Sequence, residues 1–419
     1  MPASDTREIY ADHAATTAPA PEVVAAMAPY LGDAFGNPSS VHRRGEAARE
    51  AIESARADVA TLIQATPEEI VFTATGSEAN DLALTGVMEA AALDAGRGTA
   101  AGRDATGRER GAARRRIVVS AIEHLSVLES ARYLESRGFD LTIVPVDSDG
   151  LIDLARLRAA LTPDVALVSV MLVNNEIGTI QPITEIAGAA HAAGAKMHCD
   201  AIQGVGKIPV GVDDLGVDLL SLAGHKFHGP LGAAALYVRR RTRLVPQIHG
   251  GHQERSRRAG TENLPAIVGL GAAARRARAA LAAGANAAIN ALGDRLLDQL
   301  IERIPGARLN GARDARIQGI VNVCFAGVDG EAVLHELDRE GITVSTGSAC
   351  SAAAAGPSHV LIALGLRPED AHASVRFSLG EGSIESDVDR IVAVTASTVE
   401  RLRSLGADDP ATRMSRASA

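Results

Sequence analysis

The chain contains the stretch Ser221-Leu222-Ala223-Gly224-His225-Lys226-Phe227-His228-Gly229-Pro230, which places one lysine in a tight Gly-His-Lys corner. The corner directly follows the apolar run from Val217 to Leu222, which is typical of a buried strand that opens into a turn. A lysine amine has an ordinary pKa of about 10.4 and must be desolvated, or placed near positive charge, before it can attack a carbonyl. A strand end provides that setting, so Lys226 is a candidate for covalent chemistry. A lysine in a surface loop is the alternative interpretation, and the tripeptide alone does not exclude it.

The composition is that of an ordinary globular protein. Of 419 residues, 46% are hydrophobic and 22% charged, and this length predicts two domains. The aromatic share is 2% and the net charge is −9, so the sequence offers neither stacking platforms nor a basic surface for nucleic acid. No apolar run approaches the roughly 20 residues that span a bilayer, and the N-terminus lacks a secretory signal. We therefore expect a cytoplasmic protein that binds neither nucleic acid nor a membrane.

Short β-branched runs alternate with alanine-rich helical segments through the first 262 residues. Continuous apolar strands separated by helices are typical of a buried, mostly parallel sheet with helices on both faces. The predicted strands are Glu69–Thr73, Ile117–Ser120, Leu141–Val146, Val165–Leu172, Lys196–Cys199, Asp218–Leu222 and Ala233–Val238. The sequence thus predicts an α/β fold built on a seven-stranded sheet.

The pattern changes after about residue 262. Two long helices, the first over about 264–285 and the second reaching about Arg303, precede short strands at Ile320–Phe325, Ile342–Ser345 and Ser374–Ser378. This mixture predicts a smaller α+β domain. We predict that residues 16–262 form the large domain, and that residues 1–15 and 263–404 form the small one.

Two segments have the composition of additions. Residues 94–116 hold seven Arg against three acids without apolar periodicity, which is typical of a mobile surface insertion. Partner docking or RNA contact is the alternative interpretation of this Arg-rich insertion. Residues 405–419 are predicted to be a disordered tail.

Polar residues follow four of the predicted strands at their C-terminal ends, where doubly wound sheets bind ligands. They are His124, Asn175, Asp200 with Gln203, and Lys226. In addition, the strand ending at Thr73 runs through Gly76 and Ser77 into a helix, whose first N–H groups could bind an anion. A helix merely capped by Ser77 is the alternative there. A lysine, an acidic partner and an anion cup together suit pyridoxal phosphate.

Five motifs in order along the chain resemble the cysteine desulfurases, which are class V aminotransferase-like enzymes of fold-type I. They are Tyr10-Ala11-Asp12-His13-Ala14-Ala15-Thr16-Thr17, Gly36-Asn37-Pro38-Ser39-Ser40, Asn174-Asn175-Glu176-Ile177-Gly178, Gly224-His225-Lys226 and Arg376-Phe377-Ser378-Leu379-Gly380. The resemblance runs from about residue 8 to residue 400, apart from the Arg-rich insertion. It implies a fold-type I transferase that converts L-cysteine to L-alanine and supplies sulfur for iron–sulfur clusters or thio-modification.

The resemblance implies a role for each matching position. Lys226 would hold pyridoxal 5'-phosphate covalently, and His124 would stack on its ring and move protons. The remaining cofactor-binding positions are Gly76, Ser77 and His225 at the phosphate, Asp200 at the ring nitrogen, Gln203 at the ring oxygen, and Asn175 beside the ring. Asn175 and Arg376 would bind the substrate carboxylate. Thr261 would complete the phosphate site of the neighbouring subunit, so the resemblance also implies a homodimer.

Of the three cysteines, Cys350 lies in a run of small residues from Ser345 to Gly356 that has little to pack. By the resemblance, Cys350 is the thiol of a mobile loop that takes the substrate sulfur as a persulfide. Cys199 and Cys324 lie inside predicted strands and are expected to be buried apolar residues. A second role implied by the family is that of a transient iron ligand at an iron–sulfur scaffold partner.

Alternatives remain at the level of function. A selenocysteine lyase, or another class V β-eliminating enzyme, would not require Cys350 for turnover. A non-catalytic sulfur relay or docking scaffold would not need Lys226 and Arg376. The sequence identifies neither the sulfur acceptor, for which a scaffold or tRNA-thiolation protein is expected, nor the preference between cysteine and selenocysteine.

Ala223 stands where many family members have a hydroxyl that reaches the phosphate. We therefore expect this protein to retain the cofactor more weakly. Titration of Ala223→Ser with pyridoxal phosphate would test this.

Overall fold

The computed structural model describes residues 7–96, 114–346 and 356–408. Cys350 and residues 97–113 of the Arg-rich insertion lie outside these ranges. The strands of the described ranges are β1 (Ile9–Tyr10), β2 (Ile70–Thr73), β3 (Arg116–Ser120), β4 (Asp140–Val144), β5 (Val165–Ser169), β6 (Lys196–Asp200), β7 (Leu219–Ala223), β8 (Ala234–Val238), β9 (Ala307–Leu309), β10 (Ile320–Phe325), β11 (Ile342–Thr343) and β12 (Ser374–Ser378). The helical segments are α1 (Pro21–Met27), α2 (Arg43–Leu62), α3 (Gly76–Gly96), α4 (Leu125–Ser136), α5 (Leu154–Ala160), α6 (Ile183–Ala192), α7 (Val212–Leu215), α8 (Gln253–Ser256), α9 (Leu264–Ala282), α10 (Asn286–Arg303), α11 (Gly330–Arg339), α12 (His359–Ala363), α13 (Pro368–His372) and α14 (Glu385–Asp408).

The large sheet has seven strands in the order β2-β8-β7-β6-β5-β3-β4. Strand β8 pairs antiparallel with both β2 and β7, and the other pairs are parallel, so six strands run in one direction. The predicted seven-stranded, mostly parallel sheet is therefore confirmed. Because six strands share a direction, their C-terminal ends meet at one edge.

Alternate residues of the large sheet pack against helices on opposite faces. Ile70 and Phe72 join one core with side chains of α2, α6 and α9, whereas Val71 joins another core with side chains of α3 and α4. Residues of β5, β7 and β8 are buried along their whole length, as expected for strands covered on both faces. This explains why these strands are continuous apolar runs in the sequence.

The smaller sheet has the order β12-β10-β9 and is antiparallel throughout. It shares a core with β1, β11 and side chains of α10, α11 and α14, in which the rings of Phe325 and Phe377 meet edge to face at 6.5 Å. The predicted domain boundary at 262 and 263 stays a prediction. The first helix after it, α9, packs on α2 in the core of the large sheet, where Gly271 leaves room for Ala55.

Two predicted boundaries differ from the structure. The two ends of the segment predicted to be the Arg-rich insertion belong to the fold, because α3 continues to Gly96 and Arg114 donates to the carbonyls of Val165 and Ala193. The predicted tail begins too early, because α14 continues through residue 408. Arg403 holds this helix by donating to the carbonyls of Pro305 and Ala326. Residues 409–419 lie outside the described ranges.

Within the described part of the chain, no helix combines the length and the apolar character needed to cross a membrane.

Candidate functional site

A pocket of about 260 Å³ opens at the edge where the parallel strands of the large sheet end. Its walls bring together every predicted site residue of the described chain except Thr261. These residues are Gly76, Ser77, His124, Asn175, Asp200, Gln203, His225, Lys226 and Arg376. Arg376 arrives from β12 of the smaller sheet, so the pocket lies where the two sheets approach each other.

The anion cup is the turn between β2 and α3. The first N–H groups of a helix have no partner within it, and here they lie at the pocket wall beside Gly76 and Ser77. A Cβ on Gly76 would lie 2.3 Å from Ile202 Cδ1, so only glycine fits without a shift of its neighbour. Glu78 closes the turn by accepting from the Ala74 N–H, at 2.8 Å, and from Arg258 Nε.

A hydrogen-bonded chain connects Asp200 with His124. Asn80, one turn into α3, donates from Nδ2 to Asp200 Oδ2 at 2.7 Å and to Ser126 Oγ at 2.9 Å. Ser126 in turn contacts His124 Nδ1, at 2.8 Å from Oγ. Asp200 is 4% exposed and also accepts from the Ile202 N–H. The chain holds a buried carboxylate and an imidazole in fixed positions at the pocket wall.

His124 is the N-cap of α4, and its surroundings set its tautomer. The Ser126 N–H donates to His124 Nδ1 at 3.1 Å, so Nδ1 carries a lone pair and the neutral ring has its proton on Nε2. Burial lowers the pKa of His124, with Lys226 and His359 acting in the same direction and Asp200 opposing them. The site therefore holds His124 as a neutral imidazole ready to exchange a proton at Nε2.

Lys226 ends the short 3₁₀ turn Gly224–Lys226 that follows β7. Its Nζ donates to the carbonyls of Ala14 at 2.7 Å and Ala15 at 2.8 Å, so the N-terminal segment positions the amine. Gln203 Nε2 donates to the same Ala14 carbonyl at 2.6 Å. His225 Nδ1 lies 3.2 Å from Thr16 Oγ1, and burial, together with the charges of Lys226 and Lys207, lowers its pKa to about 4.

Arg376 is buried, with a side chain 3% exposed. Its Nη2 donates to Asp12 Oδ1 at 2.7 Å and its Nη1 to the Asn175 carbonyl at 2.9 Å, while its buried Nε has no partner among the described residues. A guanidinium held in this way at a pocket wall is suited to a carboxylate ligand. The contact with the Asn175 backbone also fixes the loop that carries this amide.

Four further residues were singled out in the sequence, namely Thr261 and the three cysteines. Thr261 is exposed and does not line the pocket of its own chain. Cys350 lies outside the described residues. Cys199 and Cys324 are fully buried in β6 and β10, as predicted, and burial raises the pKa of both thiols.

The structure adds residues that the sequence analysis did not assign. Asn80 and Ser126 connect Asp200 with His124, Asp12 pairs with Arg376, and Lys207 donates to Gln203 Oε1. The spacing in the sequence could have indicated two of them. Asn80 follows Gly76 by four positions, and Lys207 follows Gln203 by four positions, a separation at which side chains of one helical turn meet. Asp12 lies in the first quoted motif, and nothing in the sequence pointed to Ser126.

The chain is similar over most of its length to proteins of a known family. The profile of the aminotransferase class-V family matches residues 9–102 and 104–391. Cysteine desulfurase IscS of Dictyoglomus turgidum is 43% identical over 399 residues, which are 95% of this chain and 96% of that protein. A solved NifS-like protein superposes with a TM-score of 0.83 at 32% identity, covering 94% of this chain and 100% of its own. The structure of SspA in complex with cysteine gives a TM-score of 0.74 at 36% identity, covering 90% and 100%.

These similarities extend over nearly the whole chain, and they include both sheets and the pocket between them. They agree with the resemblance in the sequence motifs and with the α/β architecture. The chain therefore belongs to the aminotransferase class-V family, among its cysteine desulfurases.

Proposed function

We propose that this enzyme removes sulfur from L-cysteine, releases L-alanine and retains the sulfur as a persulfide on Cys350, with pyridoxal 5'-phosphate bound in the strand-end pocket. The observation that carries the proposal is the convergence of Lys226, Asp200, His124 and Arg376 on one pocket in a member of the cysteine desulfurases. SspA, a structural relative, is described in complex with cysteine.

The pocket fits the cofactor at each of its ends. The first N–H groups of α3 at Gly76 and Ser77 offer donors to a phosphate, and His225 lines the same pocket. Asp200 offers a buried carboxylate to a protonated ring nitrogen, and Lys226 offers the amine. When bound, the cofactor supplies an electron sink that weakens bonds at the substrate Cα.

The remaining side chains would act on the ring and the substrate. Gln203 would donate to the ring oxygen, and His124 would stack on the ring and exchange protons at Nε2. Arg376 and Asn175 bind the substrate carboxylate, which then shares the guanidinium with Asp12. Holding the carboxylate in this way orients the substrate sulfur relative to the incoming thiol.

The chain length between Ser345 and Cys350 supports delivery of the thiol. Ser345 and Arg376 exchange both backbone hydrogen bonds, at 3.1 and 2.7 Å, so Ser345 lies directly beside the substrate-binding strand. Five residues span at most about 17 Å, and the starting point is close because Arg376, which pairs with Ser345, lines the pocket. Attack of the Cys350 thiolate on the substrate sulfur forms the S–S bond and breaks the Cβ–S bond. The electron pair of that bond remains on carbon, and a proton completes the methyl group of alanine.

The proposal extends to location and partners. We place the enzyme in the cytoplasm as a homodimer, in which Thr261 of each chain reaches the phosphate of the other. The persulfide would pass to a sulfur acceptor such as an iron–sulfur scaffold or a tRNA-thiolation protein. Where the acceptor is a scaffold, Cys350 would also serve as a transient iron ligand.

Alanine formation from L-cysteine and from L-selenocysteine tests the proposal, with pyridoxal phosphate and a reductant present. We expect the intact protein to form alanine from cysteine and Cys350→Ala to lose that activity. Cys324→Ala, which removes a buried thiol, is the matched control and should keep it. Cysteine turnover by Cys350→Ala, or turnover of selenocysteine alone, would replace the proposal with the lyase alternative.

A further inference from the structure

The chain almost never uses lysine. Of its 42 Lys and Arg residues, only Lys196, Lys207 and Lys226 are lysines. Lys196 pairs with Asp218 at the protein surface and is 44% exposed. The other two lie together, because Lys207 lines a cavity that also contacts Lys226. Arg and Lys differ in chemistry, since a lysine amine is compact and changes its charge when buried.

Lys207 is held in a fixed place behind the site. It follows Gly206, whose positive φ of 81° and contact with Phe227 leave no room for a side chain. Asn286 of α10 donates to the Lys207 carbonyl at 2.6 Å. From this position the Lys207 amine donates to Gln203 Oε1.

The contacts of Gln203 allow one orientation of its carboxamide. Oε1 accepts from the Lys207 ammonium, and Nε2 donates to the Ala14 carbonyl at 2.6 Å. A flipped amide would place Nε2 against an ammonium and Oε1 against a carbonyl, and both contacts would be repulsive. While Lys207 carries its charge, this orientation keeps Oε1 on Lys207 and leaves the second N–H of Nε2 for a ligand in the pocket. Lys226 donates to the same Ala14 carbonyl, so Lys207 is connected with Lys226 through the Gln203 carboxamide and this one shared acceptor.

The charge of Lys207 also acts on the site. No Asp or Glu within the described residues forms an ion pair with it, and burial, reinforced by the charges of Lys226 and Arg376, lowers its pKa to about 7. The amine is enclosed by protein although part of the side chain faces the cavity. Burial lowers the pKa of both His13 and His225 to about 4, and the charge of Lys207 acts in the same direction.

We propose that Lys207 is a positioning residue for the cofactor: it orients Gln203 so that only N–H donors face the ring oxygen, and it adds positive charge beside Lys226. This inference rests on the proposed function, because it requires pyridoxal phosphate in the pocket. N–H donors favour the ring oxygen as an anion. A nearby positive charge disfavours the protonated form of the lysine-bound cofactor.

The test uses two readouts besides activity. One is the affinity of the protein for added pyridoxal phosphate, and the other is the pH midpoint at which the lysine-bound cofactor loses its proton, read from its absorbance. We expect Lys207→Met to weaken affinity on the order of tenfold and to raise the midpoint by about one unit. Gln203→Leu should weaken affinity similarly, and Lys207→Met added to Gln203→Leu should weaken it no further.

Lys196→Met, the matched control at the third lysine, should match the intact protein in both readouts. An unchanged midpoint in Lys207→Met would overturn the inference, as would fully additive losses in the double variant. Melting temperatures of all variants exclude loss of folding as the cause. If the intact protein forms no lysine-bound cofactor at all, it is the proposed function that fails.

Discussion

Glu176 follows Asn175 in the chain and is a carboxyl buried beside the site, 5% exposed. Ser358 Oγ donates to its Oε2 at 2.5 Å. Burial raises the pKa of Glu176 to about 7, although Ser358 and Arg376 act in the opposite direction. A carboxyl with a higher pKa in the folded than in the unfolded protein favours folding at low pH, and this contribution is lost as pH rises toward the folded pKa.

We therefore expect Glu176→Gln to stabilise the protein at pH 8, because the amide avoids the burial of a charge that Glu176 carries there. The difference in unfolding free energy should approach about 3 kcal/mol at pH 8 and fall below about 1 kcal/mol at pH 5, where the folded protein holds Glu176 protonated. Urea unfolding of both proteins at the two pH values measures this. An equal difference at both pH values would show that Glu176 does not titrate between them.

Whether a site residue could be predicted depends on the sequence distance between that residue and the residues that it contacts. Lys226 and Asp200 could be predicted because each follows its own strand, and parallel strands deliver their ends to one edge. Asn80 meets Asp200 across 120 positions, a contact that requires the packed sheet and helix. The pair of Arg376 with Asp12 likewise forms only once two sheets approach each other.

At the scale of elements, α8 is the least regular. Glu254, Arg255 and Ser256 have φ of 45°, 55° and 62°, which is left-handed backbone without a single glycine. Each such residue costs about 1–2 kcal/mol. Arg56 of α2 compensates for this by donating to both carboxylate oxygens of Glu254, at 2.7 and 2.8 Å, and the Phe72 N–H donates to Glu254 as well.

Loss of this buried pair should therefore release the turn. We expect Arg56→Met to lower the unfolding free energy by about 3–5 kcal/mol, because Glu254 would be left buried without a partner. Trypsin should then cleave faster at Arg255, Arg257 or Arg258. Arg275→Met, which removes an exposed partner of Asp58, is the control and should cost under about 1 kcal/mol. A loss that small in Arg56→Met would mean that the turn is held by other contacts.

Elements were predictable where hydrophobic periodicity and local residue preference agree. The seven strands are apolar runs between helices, so their existence follows from the pattern, whereas their order in the sheet does not. The left-handed turn at α8 could not be predicted, because it contains no glycine. The ion pair of Glu254 with Arg56, which is far away in the sequence, imposes it. The end of α14 was missed because Arg403 anchors the helix through tertiary contacts that its sequence does not reveal.

At the scale of the whole molecule, the single chain leaves apolar side chains uncovered. Val24, Leu31, Phe35 and Val41 are 53%, 72%, 62% and 99% exposed, and all lie in one short stretch near the N-terminus. Several exposed apolar side chains within one short segment are typical of a region that a partner covers. Thr261 is also exposed, a few residues after the turn that Glu254 anchors. These observations support the proposed dimer, in which Thr261 reaches the other chain.

A mixed dimer can decide whether Thr261 acts on its own chain or on the other. We expect Thr261→Ala to weaken cofactor affinity on the order of tenfold, through loss of one hydrogen bond to the phosphate, and Lys226→Ala to abolish covalent attachment. When the two variants are co-expressed with different tags, the chain carrying Thr261→Ala keeps Lys226 and receives an intact Thr261 from its partner. One site of each purified mixed dimer should then bind the cofactor with the affinity of the intact protein. If Thr261 instead acts within its own chain, neither site is complete, and the mixed dimer will bind as weakly as Thr261→Ala alone.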